Sequence, residues 1–305
     1  MLAKDGQSVV GIDSVNDAYD PRIKEHRLEK LEGVQNIQFE KGNIEDRAFL
    51  EKLFSENKFD AVVNLAARAG VRYSMDNPSV YLQTNAQGTL NLLEEMVDKG
   101  VEKMVLASTS SLYAGHPIPF DEEMSVNRPL SSYAASKKAA ESLCHSFHHL
   151  YDIDVTILRY FTVYGPAGRP DMCIFRFIRW IDEGVPIVIF GDGEQNRDFT
   201  YVDDIARGTC AAIRPVGYEI INLGGGMEPV SLMAVIKTLE DLLGKKAELD
   251  FRERHPADID STRATIEKAE SILGWKPQIS LQQGLERCVD WYRENREWVL
   301  NVDLD

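Results

Sequence analysis

Two short stretches of this chain combine residue types that could move a proton. Tyr133 and Lys137 are four residues apart, so on a helix they would share one face. A nearby cation favours phenolate and lowers a phenol pKa that is ordinarily about 10, which predicts Tyr133 as a general base. Thr109, Ser110 and Ser111 follow an apolar run, and a hydroxyl there could relay the proton of a substrate alcohol. An ordinary helix with an exposed Tyr and Lys has the same spacing, and the hydroxyl triplet favours the catalytic interpretation.

Short apolar runs alternate with helical patterns in the first half of the chain, as is typical of a parallel sheet with crossover helices. The predicted strands are Ser8–Ile12, Ile37–Glu40, Ala61–Leu65, Met104–Ala107 and Val155–Tyr160, and the predicted helices are Asp46–Glu56, Pro78–Lys99 and Ser131–Tyr151. Further helices are predicted near Ile174–Glu183, Asp203–Ile213, Leu232–Leu243 and Leu281–Trp298, with strands at Ile187–Phe190 and Ile220–Leu223. We therefore expect an α/β fold with a doubly wound parallel sheet over residues 1–165 and a smaller α/β lobe over residues 166–305, interleaved around one cleft.

Asp13 follows the first predicted strand, where an acidic residue in a dinucleotide-binding fold hydrogen-bonds a ribose. A glycine-rich phosphate loop should lie about 20 residues upstream of that acid. Only twelve residues precede Asp13, and none of them forms a G-x-x-G-x-x-G pattern. We therefore expect the first strand and the glycine loop to be missing from residues 1–305. A start codon assigned too far downstream, or a fragment of a longer product, explains this more simply than a natural descendant that has lost the dinucleotide.

The missing strand would be the central one of the order 3-2-1-4-5-6, so its two neighbours would have unpaired backbone edges. A bound pyrophosphate would also lack the helix N-terminus that normally holds it. Residues 1–305 alone are therefore expected to be poorly soluble and to retain no stoichiometric dinucleotide. Restoring the strand and the loop should rescue both properties.

The composition excludes several classes of partner. The formal net charge of −15 argues against a nucleic-acid or anionic-membrane surface, so an anionic substrate would need a local arginine cluster. The four cysteines lack metal-ligand or disulfide spacing, which predicts no metal site. No apolar run reaches membrane-spanning length and no signal peptide begins the chain, so we expect a cytoplasmic protein without membrane contact.

A set of motifs in a fixed order gives this chain a resemblance that covers essentially all of its length. The motifs are Val10-Gly11-Ile12-Asp13, Gly42-Asn43-Ile44, Asn64-Leu65-Ala66-Ala67, Ala69–Ser74, Asn85–Thr89, Ser108–Ser111 with Tyr113, Tyr133-x-x-x-Lys137, Arg159–Pro166, Gly168-Arg169-Pro170-Asp171-Met172 and Arg197–Asp204. Together they resemble extended short-chain dehydrogenases/reductases of the NAD-dependent epimerase/dehydratase family, with a Rossmann-type fold. Within it, the similarity is to bacterial UDP-glucuronate 4-epimerases.

The resemblance implies NAD as cofactor and 4-epimerisation of a UDP-sugar. It implies that Tyr133 removes the proton of the sugar 4-hydroxyl, that Lys137 holds the nicotinamide ribose, and that Thr109, Ser110 and Ser111 contact the 4-oxygen. It also implies that the dinucleotide contacts Asp13, Asn43, Ile44, Leu65, Ala67 and Asn85 in addition to Tyr133 and Lys137. For Ile44, Leu65 and Ala67, plain core packing remains an alternative.

Within the family, the residues after Thr109 favour epimerisation. Sugar-nucleotide dehydratases and decarboxylases carry carboxylic acids in this region, whereas this chain has Ser110 and Ser111. Arg169 resembles the residue that engages the substrate carboxylate, since a planar guanidinium suits bidentate binding. The remaining predicted substrate-binding residues are Arg72, Thr162, Arg197 and Arg254. Arg169 as a surface loop charge, and Arg197 in a surface pair with Asp198, remain alternatives.

Four readings of the function remain open. The leading one is conversion of UDP-glucuronate to UDP-galacturonate through a transient 4-keto sugar. The others are a 4-epimerase of UDP-glucose or UDP-galactose, a sugar-nucleotide dehydratase or decarboxylase, and a truncated, non-catalytic NAD-binding module. The resemblance also implies a homodimer built from the long helices at Pro78–Lys99 and Ser131–Tyr151.

Overall fold

The computed structural model describes residues 1–253 and 259–304, and its parallel sheet is in two parts. Strand β1 (Val9–Asp13) pairs with β2 (Ile37–Lys41). Four further parallel strands lie in the spatial order β10-β5-β4-β3, namely β3 (Val62–Asn64), β4 (Lys103–Thr109), β5 (Asp154–Tyr160) and β10 (Tyr218–Leu223). Among these described strands, β1 and β3 share no ladder hydrogen bond. The sheet is thus divided between β1 and β3, where the sequence predicts the absent central strand.

Six helices accompany the strands of the first half. They are α1 (Pro21–Glu29), α2 (Arg47–Glu56), α3 (Tyr73–Asp76), α4 (Pro78–Tyr81), α5 (Gly88–Lys99) and α6 (Ser132–Tyr151), with short 3₁₀ turns at Leu2–Asp5 and Ser110–Tyr113. The sequence missed α1, and it predicted one helix from Pro78 to Lys99 where the structure has a π-helical segment, Leu82–Gln87, between α4 and α5. The hydroxyl of Thr89, in the first turn of α5, donates to the carbonyl of Asn85 in this segment at 2.6 Å. Such π-helical insertions occur frequently at functional sites.

The second half of the chain, where the sequence predicts a smaller α/β lobe, adds shorter strands and further helices. Its elements are β6 (Thr162–Tyr164), α7 (Cys173–Glu183), β7 (Ile187–Phe190), β8 (Asn196–Arg197), β9 (Phe199–Tyr201), α8 (Val202–Ala211), β11 (Val230–Ser231), α9 (Leu232–Leu243), β12 (Leu249–Arg252), a π-helical turn at Ala269–Leu273 and α10 (Leu281–Val299). The small strands pair as β6 with β9 and β7 with β12 in parallel, and β8 with β11 antiparallel. The lobe therefore consists of three short ribbons packed on helices.

Helices cover both faces of the four-stranded sheet. On one face, Met104 and Ile157 pack with Leu50 of α2 and Leu93 of α5. On the other face, the sheet packs against α8 and the π-helical turn, with Trp275 1 % exposed at the centre. A third cluster joins α7, α9 and α10 around β7. This two-sided coverage of a parallel sheet confirms the predicted doubly wound α/β class.

All four cysteines of the chain are unpaired thiols, and Cys144 and Cys288 are buried as small packing residues. Throughout the described ranges, no helix combines the length and the apolar character needed to cross a membrane.

Candidate active site

A cavity of about 810 Å³ lies between the carboxyl ends of β4 and β5 and the first turns of α7. Ligands of open α/β sheets bind outside these strand ends. The predicted site residues in its wall are Thr109, Ser110, Ser111, Tyr133, Thr162 and Arg169. The structure therefore brings the proton-relay residues and one predicted substrate arginine to a single cavity.

Thr109 ends β4 in an extended conformation and begins a 3₁₀ turn. Its hydroxyl accepts a hydrogen bond from the backbone N–H of Ser111 at 3.1 Å, and it lies close enough to Tyr133 to act against the rise in the pKa of that phenol. Because the turn is tight, Ser110 and Ser111 lie in the cavity wall beside Thr109. The strand end thus places three hydroxyls in the wall of the cavity that also contains Tyr133.

Tyr133 lies in the first turn of α6, whose N-cap Ser131 accepts from the N–H of Ala134 at 3.1 Å. Burial raises the pKa of Tyr133, while the hydrogen bond with Thr109 and the charge of Arg169 act in the opposite direction. The sequence predicted a lowered pKa with Lys137 as the responsible cation. The structure differs on both points, because desolvation of the phenol dominates and the cation that favours phenolate is Arg169.

Lys137 lies one turn further along α6 and is 3 % exposed. Its ammonium donates to the carbonyl oxygen of Ala107 at 2.9 Å. Burial lowers the pKa of Lys137 to about 8, against the negative charge of Glu141, which raises it. The lysine is therefore anchored on the strand that carries Thr109, two residues before the hydroxyl that contacts Tyr133.

A buried ion pair lies beneath these residues. Arg159 of β5 and Glu141 of α6 are each 1 % exposed and form two hydrogen bonds of 2.9 Å. Glu141 also accepts from the hydroxyl of Ser108 at 2.7 Å, and the other end of the Arg159 guanidinium donates to the hydroxyl of Tyr113 at 2.8 Å. Because Ser108 lies between Ala107 and Thr109, this network fixes the strand segment that holds both Lys137 and Tyr133.

Arg169 belongs to the loop between β6 and α7. Its Nε donates to Asp171 at 3.0 Å and its Nη2 donates to the other oxygen of that carboxylate at 2.7 Å. This pair occupies one edge of the guanidinium and leaves its outer Nη edge for a second acceptor. With its place in the cavity wall, this excludes the alternative of a plain surface charge.

Two other predicted substrate arginines, Arg72 and Arg197, are not part of the wall of this cavity. The Arg72 guanidinium is stacked on the ring of Phe190 at the end of β7, 4.1 Å from its centroid. Arg197 lies in β8 and donates to the carbonyl of Asn196 at 2.8 Å. The alternative pairing of Arg197 with Asp198 is wrong, because Asp198 is 3 % exposed and accepts backbone N–H groups instead. Arg254 lies outside the described residues.

The residues predicted for the dinucleotide divide into two groups. Asp13, Asn43, Leu65 and Ala67 lie exposed at the carboxyl ends of β1, β2 and β3. The carboxylate of Asp13 accepts from Lys24 at 2.9 Å and from the N–H of Val15 at 2.6 Å. Leu65 is 56 % exposed, so its alternative role in core packing is wrong. An acidic group beside uncovered apolar side chains fits a ribose and its attached ring.

Ile44 and Asn85 are buried. Ile44 is 4 % exposed and packs on Gly88, where a side chain at position 88 would collide with it. Asn85 is 1 % exposed, accepts from the N–H of Arg68 at 2.8 Å, and donates to the Arg68 carbonyl and to Ser136. The Asn85 side chain therefore fixes the loop after β3, and the Ile44 side chain packs on α5, so neither is exposed for direct contact with a dinucleotide.

The cavity also contains residues that the sequence analysis missed. Arg27 of α1 and Trp291 and Tyr292 of α10 line it, although both helices lie far from the motifs in sequence. Tyr81 packs its ring edge-on against Tyr133 with centroids 6.0 Å apart, and its hydroxyl donates to the carbonyl of Ala69 at 3.1 Å. Only the position of Tyr81 near a predicted helix start gave any signal.

Comparisons with known proteins agree with this geometry. Residues 1–224 match the profile of the NAD dependent epimerase/dehydratase family. A UDP-glucuronate 4-epimerase of Thermodesulfobacterium geofontis is 54 % identical over 303 residues, which is 99 % of this chain and 94 % of the relative. The Bacillus cereus UDP-glucuronic acid 4-epimerase, solved with UDP-glucuronic acid and NAD, is 37 % identical with a TM-score of 0.90, covering 96 % of this chain and 93 % of the other. A Thermotoga maritima UDP-glucose 4-epimerase with UDP-glucose is 30 % identical with a TM-score of 0.88, covering 97 % and 94 %.

Proposed function

This chain belongs to the NAD-dependent epimerase/dehydratase family, and we propose that it inverts carbon 4 of UDP-glucuronate to give UDP-galacturonate. One observation carries the choice of substrate. Arg169 lines the same cavity as Tyr133 and acts electrostatically on its phenol, so a carboxylate on carbon 6 can meet the guanidinium while carbon 4 lies at the base.

Tyr133 takes the proton of the sugar 4-hydroxyl. The Thr109 hydroxyl, which lies in the cavity wall with Tyr133, passes the proton between the two oxygens, and Ser110 and Ser111 supply further donors to the 4-oxygen. Because burial raises the Tyr133 pKa, the phenolate depends on its local partners. Arg169 is one of these partners, so it both binds the substrate and supports the base.

Bound NAD would supply the hydride transfer at carbon 4, and the residues that would hold it lie at the carboxyl edge of the sheet. Asp13 suits the adenosine ribose, and the exposed Leu65 and Ala67 offer apolar surface to a ring. Lys137 lies close enough to the strand end to hold the nicotinamide ribose from its place beside Ala107. Asn43 lies on the same edge of the sheet, while Ile44 and Asn85 act by shaping that edge.

The cavity lining argues against elimination of water and loss of carbon dioxide as the main reaction. Dehydration across carbons 5 and 6 needs a carboxylic acid near the substrate. Among the described residues that line the cavity, none is Asp or Glu. Hydroxyls and an arginine suit an epimerase, in which the C–C and C–O bonds of the ring substituents survive and only the C4–H bond is broken and re-formed.

The neutral-hexose alternative and the non-catalytic alternative are weaker for specific reasons. UDP-glucose would leave the outer edge of Arg169 without a carboxylate, in a cavity where that cation is partly desolvated. A purely dinucleotide-binding module has no use for a hydroxyl and a phenol placed together in the wall of a substrate-sized cavity, as Thr109 and Tyr133 are.

The nucleotide half of the substrate suits the region around β7 and β8. Arg72 and Arg197 place positive charge there, and the ring of Phe190 under Arg72 offers an aromatic surface. Arg254 completes the predicted set from outside the described residues. The positive charges of these arginines would offset the negative charge of the diphosphate, which a protein with a net charge of −15 would otherwise repel.

A homodimer is part of the proposal. Helices α5 and α6 pack side by side and leave apolar side chains on the surface, with Val97 37 %, Leu150 65 % and Tyr151 51 % exposed. Pairing of these helices between two copies would cover them. Analytical ultracentrifugation of the full-length protein should give the mass of a dimer, and a monomer at all concentrations would contradict it.

The experiment that tests the activity uses the full-length protein with added NAD. UDP-glucuronate and UDP-glucose are supplied separately, and the nucleotide sugars are resolved by anion-exchange chromatography. We expect UDP-galacturonate as the product and little turnover of UDP-glucose. A UDP-pentose with released carbon dioxide, a dehydrated product, or turnover of UDP-glucose alone would each overturn the proposal.

Arg169→Ala tests the carboxylate assignment directly. The variant should raise KM for UDP-glucuronate at least 10-fold, about 1.4 kcal/mol, and change UDP-glucose binding much less. Arg47→Ala removes an arginine whose guanidinium is paired with Glu94 at the surface, and serves as the matched control. Equal losses on both substrates would remove Arg169 from carboxylate recognition.

A further inference from the structure

Three cationic side chains surround one aromatic ring at the edge of the cavity. The ring centroid of Tyr19 lies 5.3 Å from the Lys24 ammonium, 5.7 Å from the Arg27 guanidinium and 5.5 Å from the Arg169 guanidinium. All three distances lie within the range over which a cation is attracted to the face of an aromatic ring. Tyr19 therefore joins the loop before α1 to the predicted carboxylate-binding arginine, more than a hundred residues away in sequence.

Arg27 ties α1 to the loop that carries Arg169. Its Nε and Nη2 donate to the carbonyl oxygen of Ala167 at 2.9 and 2.6 Å, and its Nη1 donates to the hydroxyl of Tyr19 at 2.9 Å. Ala167 has a φ of +50°, a left-handed conformation that is costly for a residue with a Cβ. The double hydrogen bond from Arg27 holds this carbonyl in place, two residues before Arg169.

Asp171 fixes the opposite side of the same arginine. It takes the Nε edge of Arg169, while Tyr19 lies against its guanidinium and Arg27 fixes the backbone before it. The remaining freedom of the Arg169 side chain is therefore small. A guanidinium held on several sides loses little entropy when a carboxylate arrives, which favours tight and selective binding.

We infer that Tyr19 and Arg27 are positioning residues that hold Arg169, and the loop carrying it, ready for the carboxylate of the substrate. This inference rests on the proposed function, because it assigns Arg169 to the carbon-6 carboxylate. It adds a specificity device that is built from α1 and the loop before it. Both residues act through Arg169.

The test is a double-mutant cycle read by binding, so it does not depend on turnover. Calorimetry gives Kd for UDP-glucuronate and for UDP-glucose with the full-length protein, Arg27→Gln, Arg169→Ala and the double variant. Arg27→Gln should raise the Kd of UDP-glucuronate about 10-fold and the Kd of UDP-glucose less than twofold. In the Arg169→Ala background, Arg27→Gln should have no further effect on UDP-glucuronate. An equal 10-fold loss in both backgrounds would overturn the inference, since Arg27 would then act independently of Arg169.

Variants of Tyr19 distinguish the contribution of its aromatic ring from that of its hydroxyl. Tyr19→Leu removes the aromatic face and should raise the Kd of UDP-glucuronate about 3–10-fold. Tyr19→Phe keeps the face and should raise this Kd less than Tyr19→Leu does. Lys30→Gln, at the exposed end of α1, is the control and should change neither ligand. Equal effects of Tyr19→Leu on the two ligands would contradict a role through Arg169. Failure of the proposed function would show itself differently, as selective UDP-glucuronate binding by a wild-type protein that forms no UDP-galacturonate.

Discussion

The ammonium of Lys137 donates to the carbonyl oxygen of Ala107 at 2.9 Å, and this contact joins α6 to the strand that ends at Thr109. Because Thr109 in turn contacts Tyr133, the lysine and the tyrosine are held by the same short strand segment. The lysine thus has a structural anchor as well as a charge. Its protonation state should then control the activity at alkaline pH.

The pH dependence follows from the lowered pKa of Lys137, which is about 8 because of burial. Below that pH the ammonium proposed to hold the nicotinamide ribose is present, and above that pH its charge is lost. We expect kcat of the full-length protein to fall as pH rises through about 8. Lys137→Arg keeps the charge, so its alkaline fall should move to higher pH, whatever its absolute rate. Lys138→Arg, at the neighbouring position, is the control and should leave the pH profile unchanged. If kcat of wild type and of Lys137→Arg fell at the same alkaline pH, the fall could not be assigned to Lys137.

Tyr133→Phe removes the proton acceptor and leaves the ring and its packing against Tyr81 in place. We expect kcat to fall by about 10²–10⁴-fold, the usual contribution of a positioned base, while NAD content and the Kd of UDP-glucuronate stay near wild type. Single-turnover kinetics and absorbance of the extracted cofactor measure these quantities. Near wild-type turnover by Tyr133→Phe would show that another group is the base.

The buried pair of Glu141 and Arg159 should dominate the stability of the site. Glu141→Gln leaves the Arg159 charge without a carboxylate in the interior, so the free energy of unfolding should fall by about 3–5 kcal/mol. Lys138→Met removes only the outer contact to Glu141, at 3.5 Å, and should cost about 0–1 kcal/mol. Urea denaturation of both variants measures the difference. Similar losses would mean that the interior pair contributes no more than the outer one.

The periodicity of the sequence predicted the strands of the large parallel sheet and most helices. Buried strands and helices need apolar side chains, so they appear in the sequence as apolar runs bounded by Gly and Pro. It missed α1, since that segment is almost entirely polar and buries only Ile23 fully. It also predicted one continuous helix across Pro78–Lys99. The π-helical turn there depends on tertiary contacts of Asn85 with the loop after β3, which no local pattern records.

The site could be predicted where residue type alone specifies the chemistry. Thr109, Tyr133 and Arg169 meet in one cavity as expected. The direction of the Tyr133 pKa shift could not be predicted, because it depends on how deeply the phenol is buried and on which cation lies nearby. The contact of Arg27 with the loop that carries Arg169 could not be predicted either. Its partner Ala167 is distant in sequence and accepts only through its backbone carbonyl, which no residue type indicates.

The central claim is that carbon 4 is inverted by removal and return of the same hydrogen within one closed site. UDP-glucuronate carrying deuterium at carbon 4 is incubated with the full-length protein and NAD in ordinary water, and the product is analysed by proton NMR and mass spectrometry. We predict UDP-galacturonate that retains the deuterium at carbon 4. Loss of the deuterium to solvent, or a product that lacks the carbon-6 carboxylate, would contradict the account.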